Sequence, residues 1–319
     1  GRMQDGEVYL PYGFVVKQLN IRFYYDDDEK TLRYALPDSV EIYQPGEKGK
    51  DGKLPYFVDG KNIFLSLSLI QSHTALEVEN FTDTEHKRVF LYNAFGKEKQ
   101  ATLTAKEAVR VQGGVKSPIL TDMEKGDKVL VLEKMEKWSK VETKDGFIGY
   151  LRNSRLGDEV EIEKSSDFRA PVYSHKSMGE GVHPTLAFHQ ITTREANNTL
   201  DTLLPNAAEA NIVAPTWYVL SDNAGNFISY SDANYVAKAH AAGKKVFATL
   251  NNFDAGKVDA KALFSAAKHR SALIENLVKD LKEKQVDGIN VDIELLPESA
   301  ARDYLEFMRE LSAVPRSSF

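Results

Sequence analysis

From Glu7 to about Asn93 the chain alternates apolar and polar positions in the manner of β-strands. The segments EVYLPYGFVV and IRFYYDDDEKTLRYALP both show this alternation, and residues 26–30 predict a hairpin turn between two strands. Three adjacent aspartates raise calcium as an alternative, but no spaced acidic loop with glycine follows, so a solvated turn is favoured. Further on, PYFVDGKNIFLSLSLIQSH predicts a hairpin around Asp59-Gly60 followed by a short helix.

From Ala101 to about Leu156 short strands are separated by turn signals at Gly113-Gly114, Lys125-Gly126 and Asp145-Gly146. This spacing predicts a small β-barrel. The strands KGDKVLVLE and WSKVE and the closing DGFIGYL resemble the bacterial SH3-like domain, whose members commonly attach enzymes to cell wall or substrate.

The preceding segment, residues 59–93, resembles the copper amine oxidase N-terminal-like module. No copper site is expected there, because His73 and His86 stand alone in the sequence.

After a charged and then Ser/Gly-rich linker, the pattern changes to strands alternating with helices. This rhythm predicts parallel βαβ units. The doubly wound sheet and the (β/α)₈ barrel both fit it, and the absence of a glycine-rich phosphate loop favours the barrel. The predicted strands are PTLAFHQI, NIVAPTWYVL, KVFATLNNF and VDGINVDIELL; the predicted helices are SYSDANYVAKAHAAGKKV, DAKALFSAAKHRSALIENLVKDLKEKQ and PESAARDYLEFMRELSA.

The last of these strands carries polar residues at alternate positions. In a β-strand Asn290, Asp292 and Glu294 point to one face, and the intervening isoleucines and valine point to the other. Carboxylates on a buried face are costly without partners, so their presence indicates chemistry. In a barrel this face is the interior, with Glu294 at the strand's C-terminal end, where barrel enzymes place their active sites.

Residues Asp287 to Glu294 resemble the fourth-strand signature D-x-x-D-x-D-x-E of glycoside hydrolase family 18. The resemblance implies that Glu294 is the general acid that protonates the glycosidic oxygen. It implies that Asp292 orients the substrate's N-acetyl group, whose carbonyl oxygen attacks the anomeric carbon in a substrate-assisted, retaining reaction. Asn290 replaces the motif's middle aspartate and can hydrogen-bond to Asp292 but cannot share a proton with it. Asp287 is a candidate for substrate binding or for setting up the strand entry with Gly288.

The stretch APTWYVLSDNAGNFISYSDANYVAKAHAAGKKVFATLNN followed by DGINVDIE is similar to the branch of this family found in spore-cortex and cell-wall glycosidases. The implied partner is an N-acetylglucosamine-containing polysaccharide or peptidoglycan, and the implied location is the extracellular cell wall or the spore envelope. Secondary candidates for substrate binding at the rim lie after the first and third strands and on the second. Trp217 could stack on a sugar or lie in the core. The full set is His189, Gln190, Thr216, Trp217, Asn251 and Asn252.

Composition narrows the remaining possibilities. A formal net charge of −6 argues against nucleic acid as a main partner, and no apolar run is long enough for a membrane helix. The chain has no cysteine, which excludes disulfides, thiolate metal sites and a cysteine nucleophile. No cofactor or metal is expected. Two other functions stay open: a non-catalytic carbohydrate-binding protein, and a wall-attachment protein whose function lies in residues 1–157.

The fold class predicted is therefore multidomain. It comprises an N-terminal all-β or α+β module and an SH3-like β-barrel, followed by an α/β part that is the first half of a (β/α)₈ TIM barrel. The expected boundaries are 1–97, 98–157, a linker at 158–180, and 181–319. Only four βα units fit after Gly181, so a fragment of a longer enzyme or a truncated product is expected, poorly active and with open strand edges.

Overall fold

The computed structural model describes residues 1–81, 87–173, 181–253 and 258–314. His86 and the final VPRSSF segment beyond Val314 lie outside the described residues. Contacts divide the chain into two compact units. One combines residues 11–64 with 171–319 and includes Gly1, and the other combines residues 2–10 with 65–170. This grouping differs from the four consecutive segments predicted from the sequence, because residues 11–64 belong with the α/β part.

The N-terminal part is built from short strands and two short helices. Its elements are β1 Arg2–Gln4, β2 Glu7–Pro11, α1 Tyr12–Phe14, a π-helical turn Val15–Leu19, β3 Tyr24–Asp26, β4 Thr31–Ala35, β5 Val40–Tyr43, β6 Tyr56–Asp59, β7 Asn62–Ser66, α2 Leu67–His73, β8 Glu77–Phe81 and β9 Arg88–Tyr92. Strands β6 and β7 flank Asp59-Gly60 and α2 follows them, as predicted. Gly60 has a φ of +59°, which favours glycine at this turn.

Strands β3, β4 and β5 form an antiparallel sheet, and the predicted turn between β3 and β4 is confirmed. The carboxylate of Asp26 accepts the backbone N–H groups of Asp28 and Glu29, at 3.0 and 2.8 Å. The solvated-turn prediction is wrong for Asp26 itself, whose side chain is fully buried. Only the other two aspartates of the run are exposed.

The second unit contains a seven-stranded antiparallel sheet in the order β12-β11-β15-β14-β13-β10-β16. Its small core holds Leu103, Val109, Met123, Val129, Val141 and Leu151. The strands are β10 Gly96–Leu103, β11 Glu107–Arg110, β12 Ile119–Met123, β13 Lys128–Lys134, β14 Trp138–Thr143, β15 Ile148–Arg152 and β16 Leu156–Lys164, with a 3₁₀ turn at Asn153–Arg155.

Strand β16 corrects the predicted linker. Residues 158–164 fall in the segment predicted to be a linker, yet they belong to β16 and pair with β10. Val160 and Ile162 alternate with Glu159, Glu161 and Glu163, which is a strand pattern that the high charge of the segment obscured.

The α/β part follows. Its elements are β17 Leu186–His189, α3 Leu200–Asn206, β18 Ile212–Pro215, β19 Tyr218–Leu220, β20 Phe227–Ser229, α4 Ala233–Ala241, β21 Lys245–Asn251, α5 Ala260–Ser265, α6 Ala267–Lys284, β22 Gly288–Asp292 and α7 Ala301–Ser312, with 3₁₀ turns at Glu195–Thr199 and Glu298–Ala300. Strands β17, β18, β21 and β22 are parallel neighbours in that order. The four predicted strands and their alternation with helices are therefore confirmed.

Details of these elements follow local chemistry. The side chain of Asp232 accepts the Asn234 and Tyr235 backbone N–H groups at the start of α4, and Gly243 follows its end with a φ of +71°. The long predicted helix is instead two helices, because Ala266 is extended between α5 and α6. The second predicted strand is likewise divided between β18 and β19.

A buried ionic cluster joins β3 to α6 and α7 within the first unit. The guanidinium of Arg270 is fully buried and pairs with both carboxylate oxygens of Glu310, at 2.8 and 3.0 Å. It also lies 3.5 Å from Asp26. The Asp26 carboxylate accepts the Ala267 backbone N–H at 2.8 Å, so a residue from β3 caps α6. This contact satisfies a donor that no side chain of the helix itself reaches.

Candidate active site

The C-terminal ends of β21 and β22 lie side by side and form the candidate active site. Residue pairs along the two parallel strands run from Phe247 and Gly288 to Asn251 and Asp292. Strand β22 ends at Asp292, so the sequence continues beyond the sheet edge towards Glu294. Polar side chains from both strands therefore meet at this edge.

The alternation on β22 agrees with the prediction from the sequence for Asn290 and Asp292, whereas the prediction that Glu294 lies on the same strand is wrong, because the strand ends at Asp292. Ile289, Val291 and Ile293 pack against the core cluster that lies between the sheet and its helices. Asn290 and Asp292 occupy the alternate positions and thus the opposite face. The Asn290 side-chain amide donates to the hydroxyl of Thr249 at 3.3 Å. Both Asn290 and Asp292 are half-buried.

Glu294 lies two residues beyond the strand and its side chain is exposed. Its backbone is held on both sides by one side chain. The Glu294 N–H donates to Asn252 Oδ1 at 2.8 Å, and Asn252 Nδ2 donates to the Glu294 carbonyl at 2.8 Å. The next residue, Leu295, has a φ of +53°, a conformation uncommon for residues other than glycine. The Asn252 side chain therefore continues the pairing between the two strands past Asp292 and fixes the position of the Glu294 backbone, from which the carboxyl side chain extends.

Asn251 is completely buried beneath this edge. Its Oδ1 accepts the Phe253 backbone N–H at 3.2 Å, while its Nδ2 has no hydrogen-bond partner among the described residues. Its strand neighbour on β22 is Asp292. An unpartnered buried amide beside a carboxylate is the most unusual polar feature of the site.

The rim candidates on β17 and β18 serve mainly to tie strand ends together. The ring of His189 is buried between the hydroxyls of Tyr235 and Thr199, each 2.9 Å away, and burial lowers the pKa of His189. The Thr216 hydroxyl bonds to both the N–H and the carbonyl of Ile191, at 2.8 and 3.1 Å. Gln190, directly after β17, is exposed.

Trp217 is not available to a sugar. Its side chain is fully buried in the core, edge-on to Tyr235 at 5.1 Å, and its indole N–H donates to Asn197 Oδ1 at 2.8 Å. The prediction of substrate binding by Trp217 is therefore corrected, and the core alternative holds.

Asp287 lies at the other end of β22 from Asp292. At roughly 3.3 Å per residue, five residues of strand separate the two by about 16 Å. The Asp287 carboxylate accepts the Val246 backbone N–H at 2.8 Å and pairs with His240 at 2.7 Å. The substrate-binding prediction for Asp287 is corrected, because these contacts fix the entry of the strand instead.

Neither Thr249 nor the contact that Asn252 makes is predicted from the sequence. Thr249 was not singled out, although Thr249 and Asn251 alternate on β21 just as Asn290 and Asp292 do on β22. That polar alternation is the signal that could have found it. The contact between Asn252 and the Glu294 backbone had no signal in the sequence, because the two lie 42 residues apart.

Within the described ranges, no three His, Asp or Glu side chains are grouped so that they could hold a metal ion. Nor does any helix of the described chain reach the length and apolar character needed to cross a membrane. The site is therefore made of carboxylates, amides and a hydroxyl. Such a set can donate a proton, orient a polar substituent and hydrogen-bond to a polar ligand.

Residues 106–157 match the family model of the bacterial SH3 domain. The SH3-like prediction for this part of the chain is thereby confirmed, and so is a β-rich organisation with more than one domain. No curated protein matches the chain.

Solved structures similar to the chain include chitinases and spore cortex-lytic enzymes. A chitinase from Chromobacterium violaceum is 21% identical over 41% of this chain and 41% of its own, with a TM-score of 0.33. The spore cortex-lytic enzyme SleL of Bacillus cereus is 12% identical over 65% of this chain and 56% of its own, with a TM-score of 0.36. The match to SleL of Bacillus megaterium covers 58% of this chain and 45% of the SleL chain, with 15% identity and a TM-score of 0.33. The chain thus spans about half the length of these proteins or less, and TM-scores this low do not establish a common fold.

Proposed function

We propose that this chain carries the acid-bearing part of a glycoside hydrolase that acts on an N-acetylglucosamine-containing polymer of the cell wall. The observation that carries the proposal is the polar end of β22. Asn290 and Asp292 share one face of a parallel strand, and Glu294 follows at its C-terminal end with an exposed side chain. The order of these side chains agrees with the D-x-x-D-x-D-x-E signature except at Asn290, which stands in place of the middle aspartate.

Each carboxylate suits one step of a substrate-assisted, retaining reaction. Glu294 is exposed, so a polymer too large to enter a closed cavity can bring its glycosidic oxygen to the carboxyl. Glu294 then donates its proton to that oxygen, and the N-acetyl carbonyl oxygen forms a bond to the anomeric carbon as the leaving group departs. Asp292 lies one step deeper, half-buried, where it accepts the N-acetyl N–H and stabilises the positive charge that develops on the cyclised group. In the return step water attacks the anomeric carbon, the bond between that carbon and the acetyl oxygen breaks to restore the N-acetyl group, and the attacking water gives a proton to Glu294.

The four parallel strands fit the same proposal. They are parallel neighbours in the order β17-β18-β21-β22 with helices between them, an order that consecutive strands of a (β/α)₈ barrel also have. In that fold the residues that do chemistry come from the C-terminal strand ends, which is where Asp292, Asn251 and Glu294 lie. We propose that this part of the chain is the first half of such a barrel.

The bacterial SH3 domain supports an attachment role beside the catalytic one. We propose that residues 106–157 bind cell-wall material and keep the enzyme at its substrate, in the cell wall or spore envelope. The test is co-sedimentation of the 319-residue chain with purified peptidoglycan. Retention should be equal for the parent chain and for Glu294→Gln, because the acid lies outside the domain proposed to bind.

The catalytic proposal is tested with a thiazoline analogue of N-acetylglucosamine, which mimics the cyclised intermediate, and with a chromogenic N-acetylglucosaminide. The chain should bind the thiazoline, and Asp292→Ala should weaken binding by an order of magnitude or more, because a hydrogen bond to a charged group is lost. Any turnover should vanish in Glu294→Gln while thiazoline binding persists. Binding without turnover in a full-length protein that retains Glu294 would favour the non-catalytic carbohydrate-binding function. Thiazoline affinity that ignores the Asp292 substitution would refute the assignment.

A further inference from the structure

The buried amide of Asn251 is oriented by the backbone. Its Oδ1 accepts the Phe253 N–H at 3.2 Å, and turning the amide over would set its NH₂ group against that donor. The Nδ2 must therefore point the other way, where no acceptor among the described residues meets it. A fully buried donor without a partner is destabilising, and such groups in folded proteins call for an explanation.

The position of Asn251 on β21 identifies the acceptor. Val246, Ala248 and Leu250 belong to the buried core cluster, so the alternate residues Thr249 and Asn251 face the side of the sheet that carries Asn290 and Asp292. Asn251 and Asp292 are direct neighbours in the register of the two strands. Backbones of neighbouring strands are about 4.8 Å apart, which places the two side chains within reach of each other.

The other candidate donor to Asp292 is already engaged. Asn290, which stands where the family motif has an aspartate, donates its side-chain amide to Thr249 at 3.3 Å. No hydrogen bond joins the half-buried side-chain carboxylate of Asp292 to any residue that the structure describes. One strand therefore holds a carboxylate without a donor, and the adjacent strand holds a donor without an acceptor.

We propose that Asn251 is the positioning residue of Asp292, and that its Nδ2 donates to the Asp292 carboxylate when the N-acetyl group of the substrate is bound. The inference rests on the proposed function. In this chain the orienting partner of Asp292 comes from the neighbouring strand as an amide. An amide can donate a hydrogen bond to Asp292, but unlike a carboxyl at position 290 it cannot share a proton with it.

The experiment measures the affinity of the full chain for the thiazoline analogue by calorimetry between pH 5 and pH 8. Asn251→Ala should bind on the order of tenfold more weakly, because the donor to a charged acceptor is lost. Asn251→Asp keeps the size of the side chain but sets two carboxylates side by side, which favours protonation of one of them. Its affinity should therefore vary with pH in a way that the parent chain's does not. Asn234→Asp, which adds the same charge at an exposed position of α4, is the matched control and should follow the parent profile.

The outcomes separate this inference from the proposed function. If Asp292→Ala loses affinity and both Asn251 variants bind like the parent at every pH, Asn251 does not position Asp292, and the proposed function stands. If the parent chain does not bind the thiazoline, both fail. A purely structural role for Asn251 would lower the melting temperature of Asn251→Asp and leave its pH profile of affinity parallel to the parent's, which also overturns the inference. Should Asn251→Ala not fold, the isosteric Asn251→Asp decides.

Discussion

Glu306 on α7 makes the stability of the first unit depend on pH. Its side chain is fully buried. Among the described residues, only one of its two oxygens has a hydrogen-bond partner, the guanidinium of Arg309 at 3.3 Å. Burial raises the pKa of Glu306 to about 7, and the nearby carboxylate of Glu310 adds to the increase. Arg309 and Arg270 oppose it, but less strongly than burial, and the Tyr12 hydroxyl is also within electrostatic range.

The size and sign of the effect follow from the two pKa values. An unfolded glutamate titrates near its ordinary value of 4.5 and the folded one near 7. The two pKa values differ by about 2.5, and a pKa difference of one corresponds to about 1.4 kcal/mol of free energy. Charging Glu306 therefore costs the folded state about 3 kcal/mol relative to the unfolded state. Because the folded pKa is the higher one, stability from the protonated form is complete below pH 4.5. It is lost as pH rises from 4.5 through 7.

Glu306→Gln removes the titration and keeps the shape. At each pH, the unfolding free energy of the parent is subtracted from that of the variant. This difference should be about 3 kcal/mol larger at pH 8 than at pH 4. Comparing the two pH values cancels any constant penalty from the buried amide of glutamine. Urea unfolding followed by tryptophan fluorescence measures this in a Trp138→Phe background. The remaining tryptophan, Trp217, then reports on the core of the first unit.

Glu275→Gln serves as the control, because it makes the same chemical change at an exposed position of α6. Its stability difference from the parent should be equal at pH 4 and pH 8. If Glu306→Gln also shows no change between these two pH values, Glu306 does not titrate between 4.5 and 7 in the folded protein. The reasoning from its burial would then be wrong.

Other substitutions probe single contacts. Asp26→Ala leaves the guanidinium of Arg270 buried with one carboxylate fewer and uncaps α6, and should destabilise the first unit by about 3 kcal/mol in urea unfolding. Gly146→Ala should destabilise the second unit by more than about 1 kcal/mol, because Gly146 has a φ of +72° and an added Cβ would lie 2.4 Å from the ring of Phe81. Trp217→Phe should lower the melting temperature and leave thiazoline affinity unchanged, because the indole of Trp217 is covered by protein. A loss of thiazoline affinity without a loss of stability would show that Trp217 does contribute to binding.

The elements that the sequence predicted well are those whose signal is local. The helical pattern of α4 lies within one short segment, and the alternation of Asn290 with Ile289 lies within one strand. Such patterns need no partner to be recognised. The parallel strand order then follows from the short connections between consecutive βα units.

The misses come from partners that are distant in sequence. Asp26 belongs to a run of charges that is typical of a solvated turn, yet it meets the first N–H of α6, 241 residues later. The strand β16 looked like a linker because its glutamates are many, and only its pairing with β10 shows the alternation to be structural. A charged residue is exposed by default, and a buried partner overrides that default only in three dimensions.

The same distance hid the relation between the two asparagines and the two carboxylates. The stretch ATLNN offers two amides in succession, and successive residues at the end of a strand point in different directions. One of them, Asn251, is therefore buried beside Asp292, while the other, Asn252, reaches across to the backbone of Glu294. Substituting each asparagine should disturb a different carboxylate. Asn251→Ala should affect Asp292 and weaken binding of the N-acetyl group, whereas Asn252→Ala should displace the acid, Glu294. These two separate effects both depend on the pairing of β21 with β22, which brings residues about 40 positions apart in sequence to one edge of the sheet.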